Sequence, residues 1–330
     1  MAGAQRLSTA DDKDEQTSFS ASGPVLPAFL PQSFRAISPN LAASILMILA
    51  FMVFTLMSVL IRYVGDRVPI VQVVLVRQLV AFALLAPWFW RERAQIRRPT
   101  GLKLHVARGV LAVGSMTCGL SAVLLIPLAD VTAIQMAEVL FVTALAALVL
   151  GEKVGWRRWS AAAVGLLGVA IMVRPFGQGV ETAALLALAG ALFGAGGMVA
   201  LRLGSAHDGA GTVLFWQGVV VLALITPAAL WFWVTPSVAD ALMLIFMGLV
   251  FTVGQWLWTY ALRMGEASAL APLNYIKLLM AGVVGWLAYG ETPTLETVAG
   301  GLLVMGAATY TIHRNAQQAA KVRPATLTPS

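Results

Sequence analysis

Long, unbroken apolar runs dominate the chain, and polar residues gather between them. Ten such runs lie at roughly 41–63, 69–90, 104–125, 129–150, 157–174, 182–203, 211–233, 239–262, 268–289 and 295–313. Each is about 20 residues long, enough for a helix to cross some 30 Å of hydrocarbon. A backbone in lipid must satisfy its own hydrogen bonds, so the runs are predicted to be helices. They lack the alternation of a β-barrel strand. The predicted class is therefore all-α integral membrane. Residues 1–37 are polar, carry mixed charges from Asp11 to Glu15 and contain Pro24, Pro27 and Pro31, so they read as a disordered tail. The apolar stretch from Val25 to Leu30 is too short to span, and the start lacks the pattern of a signal peptide. Residues 314–330 read as a second disordered tail.

The runs contain a weak internal echo. The run from Ala129 ends in Gly151-Glu152, and the run from Ser268 ends in Gly290-Glu291, 139 residues later. At that offset Gln135 falls on Asn274, Glu138 on Lys277 and Gln78 on Gln217. Arg62 and Arg202 match at an offset of 140. The chain thus reads as two five-helix halves, 38–175 and 176–313. Five is odd, so the second half enters the membrane from the opposite side. The prediction is ten transmembrane helices forming an inverted repeat, a design that places ligand sites near the midplane between halves.

Charge orients this arrangement. With ten spans both termini share one side, and that side carries 17 of the 22 lysines and arginines. Only Arg62, Arg67 and Arg174 fall opposite, while Arg77 and Lys277 lie within spans. Cytoplasmic loops are enriched in such residues, so both tails are assigned to the cytoplasm of a bacterial-type inner membrane. The same asymmetry accounts for the net charge of +7 without nucleic acid as a partner. The lone Cys118 forms no disulfide within the chain, and His105, His207 and His313 are scattered near helix ends. No metal or other cofactor is expected. Without a Walker-type Gly-Lys-Ser/Thr loop, no nucleotide is implied either.

The order of several short motifs resembles a known family. Gly151-Glu152-Lys153, then Arg157-Arg158-Trp159, Gly165, Gly168-Val169 and Arg174-Pro175 are similar to the end of the first repeat of the drug/metabolite transporter superfamily, EamA type. Gly290-Glu291-Thr292-Pro293-Thr294, with Gly301 and Gly306, resembles the end of the second. The likeness spans about 41–313. It implies a secondary transporter of small organic solutes, with amino-acid exporters as the nearest group within the superfamily, operating by alternating access around a central cavity. Members often carry proline in the middle of the fourth and ninth spans. This chain has Glu138 and Lys277 near those places instead. A multidrug or other metabolite carrier of the same fold is the alternative; an integral-membrane enzyme is a further rival, but the acids Asp66, Asp130, Asp208, Asp240 and Glu291 lie on different connections. One quasi-symmetric chain can enclose a pathway alone, and a homodimer is compatible with it.

Candidate binding residues follow from depth. A charge at mid-span costs about 2.5–3.5 kcal/mol and must face the bundle interior or a wet cavity. Glu138, Lys277 and Arg77 meet that condition. They suit a structural ion pair of Glu138 with Arg77 or Lys277, a clamp for a zwitterion, or proton coupling through Glu138. Gln135 and Asn274, matched across the repeat, suit cavity walls. For Gln78, Gln217 and Gln255 the plainer role is interhelical packing, although Gln78 and Gln255 also suit a substrate site. Trp256 and Tyr275 offer an aromatic wall able to hold an ammonium. Trp88, Trp90, Trp231 and Trp233 read as interfacial anchors. Gly190, Gly194, Gly196 and Gly197 permit close helix approach. A reporter fused after Arg314 is expected to read cytoplasmic; a periplasmic signal would contradict ten spans.

Overall fold

The computed structural model describes residues 39–149, 156–173, 182–204, 208, 210–264, 270 and 273–322; within these ranges the side chains of a few residues, among them Asn274 and Tyr275, fall outside the description. The expected N-terminal tail lies outside the described residues, as do Gly151 and Glu152. Among the described residues the chain is helical and contains no strand. The helices are α1 (Pro39–Gly65), α2 (Ile70–Arg91), α3 (Arg93–Ile96), α4 (Leu102–Leu125), α5 (Leu128–Gln135), α6 (Glu138–Val149), α7 (Trp156–Val173), α8 (Thr182–Gly204), α9 (Ala210–Trp231), α10 (Val238–Met264), α11 (Asn274–Tyr289) and α12 (Leu295–Val322). Seven helical stretches are long and apolar enough to cross a membrane, with α5 and α6 together forming one of them. Shorter apolar stretches occupy Trp159–Met172, Ile276–Tyr289 and Leu295–Ala307. The exterior is studded with exposed leucines such as Leu148, Leu230, Leu287 and Leu302. A surface of that kind is suited to lipid rather than water.

Two boundaries differ from expectation. The fourth run is two helices, α5 and α6, separated at Met136-Ala137. There the N–H of Ala137 bonds the carbonyl of Ile134 at 3.0 Å, and that of Leu140 bonds Ala137 at 2.9 Å, so the chain tightens into i→i−3 turns. Neither proline nor glycine lies at this break. In the ninth run the described helix is Asn274–Tyr289, and residues 268, 269, 271 and 272 lie outside the described residues. The polar tail after Arg314 instead continues α12 to Val322, because Asn315 to Lys321 contains good helix formers and no proline comes before Pro324.

Helix pairings come in matched sets. The most extensive are α4 with α8 and α1 with α10, together with α7 against α12. Below them α4 packs on α9 as α2 packs on α10, and α6 packs on α8 as α11 packs on α1. Pro87 inside α2 and Pro227 inside α9 share the 140-residue offset. Glycines set the closest crossing, where a Cβ on Gly168 of α7 would lie 2.6 Å from the carbonyl oxygen of Gly300 in α12.

One end of the bundle is closed by a clamp. Gly290 terminates α11 in the left-handed conformation (φ 66°), with Glu291 N–H bonding back to the Gly285 carbonyl at 3.2 Å. This turn aims Glu291 at Arg62, at the end of α1, and the two form an ion pair. Arg62 also donates from Nε to the Val123 carbonyl at 2.6 Å and from Nη2 to the Ile126 carbonyl. Tyr289 lies under the guanidinium, 4.9 Å from its ring centroid. The second Glu291 oxygen accepts the Leu128 N–H at 2.9 Å, a free donor at the start of α5. One acid-base pair therefore ties α1, α4, α5 and α11. On the same face Arg67 pairs with Asp240, Gln72 exchanges two hydrogen bonds with the backbone of Val234, and Thr297 donates to Asp130.

The opposite, basic face carries Arg91, Arg93, Arg97, Arg98 and Lys103. There Asp208 accepts bonds from the Thr100 hydroxyl at 2.6 Å and the Thr100 N–H, and lies 2.7 Å from His105 Nε2. Burial pushes the Asp208 carboxyl up, but hydrogen bonds from Thr100 and His105 and from the Thr100 and Gly101 amides outweigh it and bring it down to about 2. These contacts make successive long helices run in opposite directions between the clamp face and the basic face. Removing the Glu291 carboxylate strands a guanidinium whose side chain is only 11% exposed. Glu291→Ala is expected to destabilise the protein by about 2–4 kcal/mol, read by thermal unfolding in detergent, with Glu291→Gln losing less. Unfolding at the wild-type temperature would contradict the clamp.

Candidate functional site

Two cavities lie between the halves, stacked along the helix axes. The larger, of about 380 Å³, occupies the half of the bundle toward the basic face. It is bounded by Gln78 and Phe82 of α2, Gln217 of α9, and Gln255, Trp256 and Tyr260 of α10. Trp256 and Tyr260 stand one turn apart with ring centroids at 4.5 Å. Phe82, Phe89 and Phe215 form a mutually packed aromatic wall, with centroids 5.2–5.6 Å apart. Gln78, Gln255 and Trp256 thus line a cavity as candidate site residues, and so does Gln217. Trp88 departs from its expected role as a lipid anchor. It lines the same cavity and donates its indole N–H to Glu92 at 2.7 Å.

The smaller cavity, of about 200 Å³, lies toward the clamp face. Arg77, Gln135 and Lys277 line it together with Ser58, Ser115 and Thr132. Its lining is more polar in character. Met116 and Phe251 border both cavities and form a septum between them. Phe251 is an ordinary apolar position within α10, and nothing in the local pattern marks it out.

Arg77 is seated in that septum. Its guanidinium lies 4.1 Å from the centroid of Phe251, and Nη2 donates to the Met116 sulfur at 2.9 Å. The residue is 3% exposed, and its Nε has no hydrogen-bond partner. Among the described residues Arg62 pairs with Glu291 and Arg67 with Asp240, whereas no described carboxylate meets Arg77. A cation–π contact contributes about 0.5–2 kcal/mol, short of a mid-membrane charge's cost of about 2.5–3.5 kcal/mol.

Glu138 and Lys277 interact electrostatically but close no direct ion pair. The expected pairing of Glu138 with Arg77 or Lys277 as a direct structural bond is therefore not formed. Glu138 opens α6 just beyond the helix break, where a carboxylate complements the positive end of the helix dipole. It lies against α8, where a Cβ on Gly194 would sit 3.0 Å from its Oε1. It is not among the residues lining either cavity. Of the matched pair, Gln135 lines the smaller cavity, and the side chains of Asn274 and Tyr275 lie outside the described residues.

A helical bundle with lipid-suited walls and internal cavities enclosed by one chain defines a multi-pass membrane protein built for small molecules. The profile of the EamA-like transporter family matches the chain twice, over residues 41–174 and 181–312. The chain belongs to that family. The S-adenosylmethionine uptake transporter of Rickettsia prowazekii (strain Madrid E) is 24% identical over 272 residues, covering 81% of this chain and 90% of that protein. The pseudopaline exporter CntI of Pseudomonas aeruginosa (strain UCBPP-PA14) is 28% identical over 79% of this chain and 92% of its own length. The riboflavin transporter of Rhizobium johnstonii is 27% identical, with coverage of 86% and 95%. One crystal structure, 18% identical, superposes with a TM-score of 0.57 over 82% of this chain and 97% of that one, a likeness of fold. Glu138→Gln is expected to fold normally and to lower transport measured in vesicles. A folded variant with full transport would remove Glu138 from the mechanism.

Proposed function

We propose that this chain is a secondary carrier working by alternating access, with an amino-acid-type zwitterion as its solute and export as its direction. In this reading ten helices cross the inner membrane as two inverted halves, 38–175 and 176–313, with both termini in the cytoplasm. The observation that carries it is the stack of two cavities inside one chain, each bounded by helices of both halves. The matched helix pairings and the alternating helix directions support an inverted repeat. Two halves of similar packing can give two states of similar energy, one open to each side. Lys277, with Gln135 beside it, suits a carboxylate, and Glu138 supplies the opposite charge nearby.

A second reading is favoured by one observation, the aromatic lining of the larger cavity. That lining suits a metabolite bulkier than an amino acid. The names of the relatives, which concern S-adenosylmethionine, pseudopaline and riboflavin, point the same way.

The test is transport by the full chain in reconstituted vesicles, comparing labelled amino acids, nucleotide conjugates and cationic drugs. Saturable amino-acid flux, accelerated by unlabelled solute on the far side, is the expected result. If only drugs moved, the amino-acid assignment would fall and the carrier would stand. Flux that rises without saturation would point to a channel.

A further inference from the structure

Two buried polar atoms remain without partners, one at the septum and one on the wall of the larger cavity, and they are of opposite kind. Arg77 Nε is a donor, held between Phe251 and Met116 on a guanidinium that no described carboxylate meets. Gln217 Oε1 is an acceptor, on the wall of the larger cavity. Buried polar groups are rarely left unpaired unless something else pairs them. The larger cavity offers flat aromatic surfaces from Phe82, Phe251 and Trp256. Aromatic faces favour planar π-systems at stacking distance. Beyond the septum the smaller cavity adds a second cation, Lys277, so the polar end of the space carries an excess of positive charge.

The geometry points to one bipartite site for planar heteroaromatic carboxylic acids. The ring system lies in the larger cavity, stacked among the aromatic side chains. In rings that carry an N–H, such as indole, that group donates to Gln217 Oε1. The carboxylate extends past Met116 and Phe251 to Arg77, on the smaller cavity's side of the septum, where the guanidinium can present two parallel N–H donors to it. Arg77 is thus the residue that selects acids over their neutral analogues. Gln217 and the aromatic wall select the ring. This assignment rests on the carrier reading for its purpose, but it concerns binding and can be measured without transport.

The experiment is equilibrium binding to the purified full chain in lipid nanodiscs, with two matched pairs of tritiated probes. These are indole-3-acetate with indole-3-acetamide, and nicotinate with nicotinamide. The wild-type protein is expected to bind at least one acid about tenfold or more tightly than its amide, the size of a charge-assisted hydrogen bond. Arg77→Gln should abolish that preference by weakening the acid far more than the amide, and Arg77→Lys should keep part of it. Gln217→Leu should weaken indole-3-acetate and indole-3-acetamide equally. The wild-type comparison alone suffices if a variant fails to fold. Binding of neither pair, or equal binding of acid and amide by the wild type, overturns the assignment. Retention of the preference by folded Arg77→Gln does so as well. Acid-selective binding without flux in vesicles would leave the site standing and remove the carrier reading. Saturable flux of another solute without binding of either pair would do the reverse.

Discussion

Hydrocarbon solvates neither an amide nor a charge, and the architecture follows from where this chain places the few polar groups it cannot leave there. Helices settle the matter for most of the backbone. Helix ends and charged side chains need other partners. Arg62 provides for several at once, since its guanidinium serves two carbonyls near the end of α4 and the Glu291 carboxylate. Glu291 in turn serves the first N–H of α5. The turn at Gly290 is what brings Glu291 within reach, and its positive φ is a conformation that glycine adopts without steric cost.

Arginine is handled differently at the midplane. Arg62 sits at a rim and meets a carboxylate. Arg77 sits deep and meets an aromatic face and a thioether. The first arrangement is saturated and holds four helices in register. The second leaves donor capacity unspent at the boundary of two cavities. A saturated ion pair suits a structural joint, whereas an under-coordinated guanidinium suits a place that a solute occupies in passing. Glu138 and Lys277 lie between these extremes, close enough to attract and too far apart to close a bond.

The break between α5 and α6 belongs to the same logic. Gln135 ends one helix beside the smaller cavity, and Glu138 begins the next against Gly194. A continuous helix would carry these side chains on a fixed angular spacing. Two short helices joined by i→i−3 turns separate their directions, so that one lines the cavity and the other faces α8. Broken helices of this kind are tolerated within membranes where protein or a cavity surrounds the freed backbone.

Long apolar runs and the 139-residue echo of polar positions were sufficient to define the class and the existence of two related halves. Those features depend on local composition and on the length needed to cross a bilayer. The same patterns marked Arg77, Gln135 and Lys277 as residues that must face something polar. They did not reveal the break at Met136, where neither proline nor glycine marks the chain, nor the role of Phe251 and Met116, which resemble any other lipid-spanning residues. Nor did they separate the acids. Glu291 and Asp240 read as scattered until folding set them beside Arg62 and Arg67, more than 170 residues away in the chain. Partner choice between distant helices depends on the angles and depths at which they cross. That is decided only when the whole bundle packs, and it is why the depth of a charge was legible in one dimension while its partner was not.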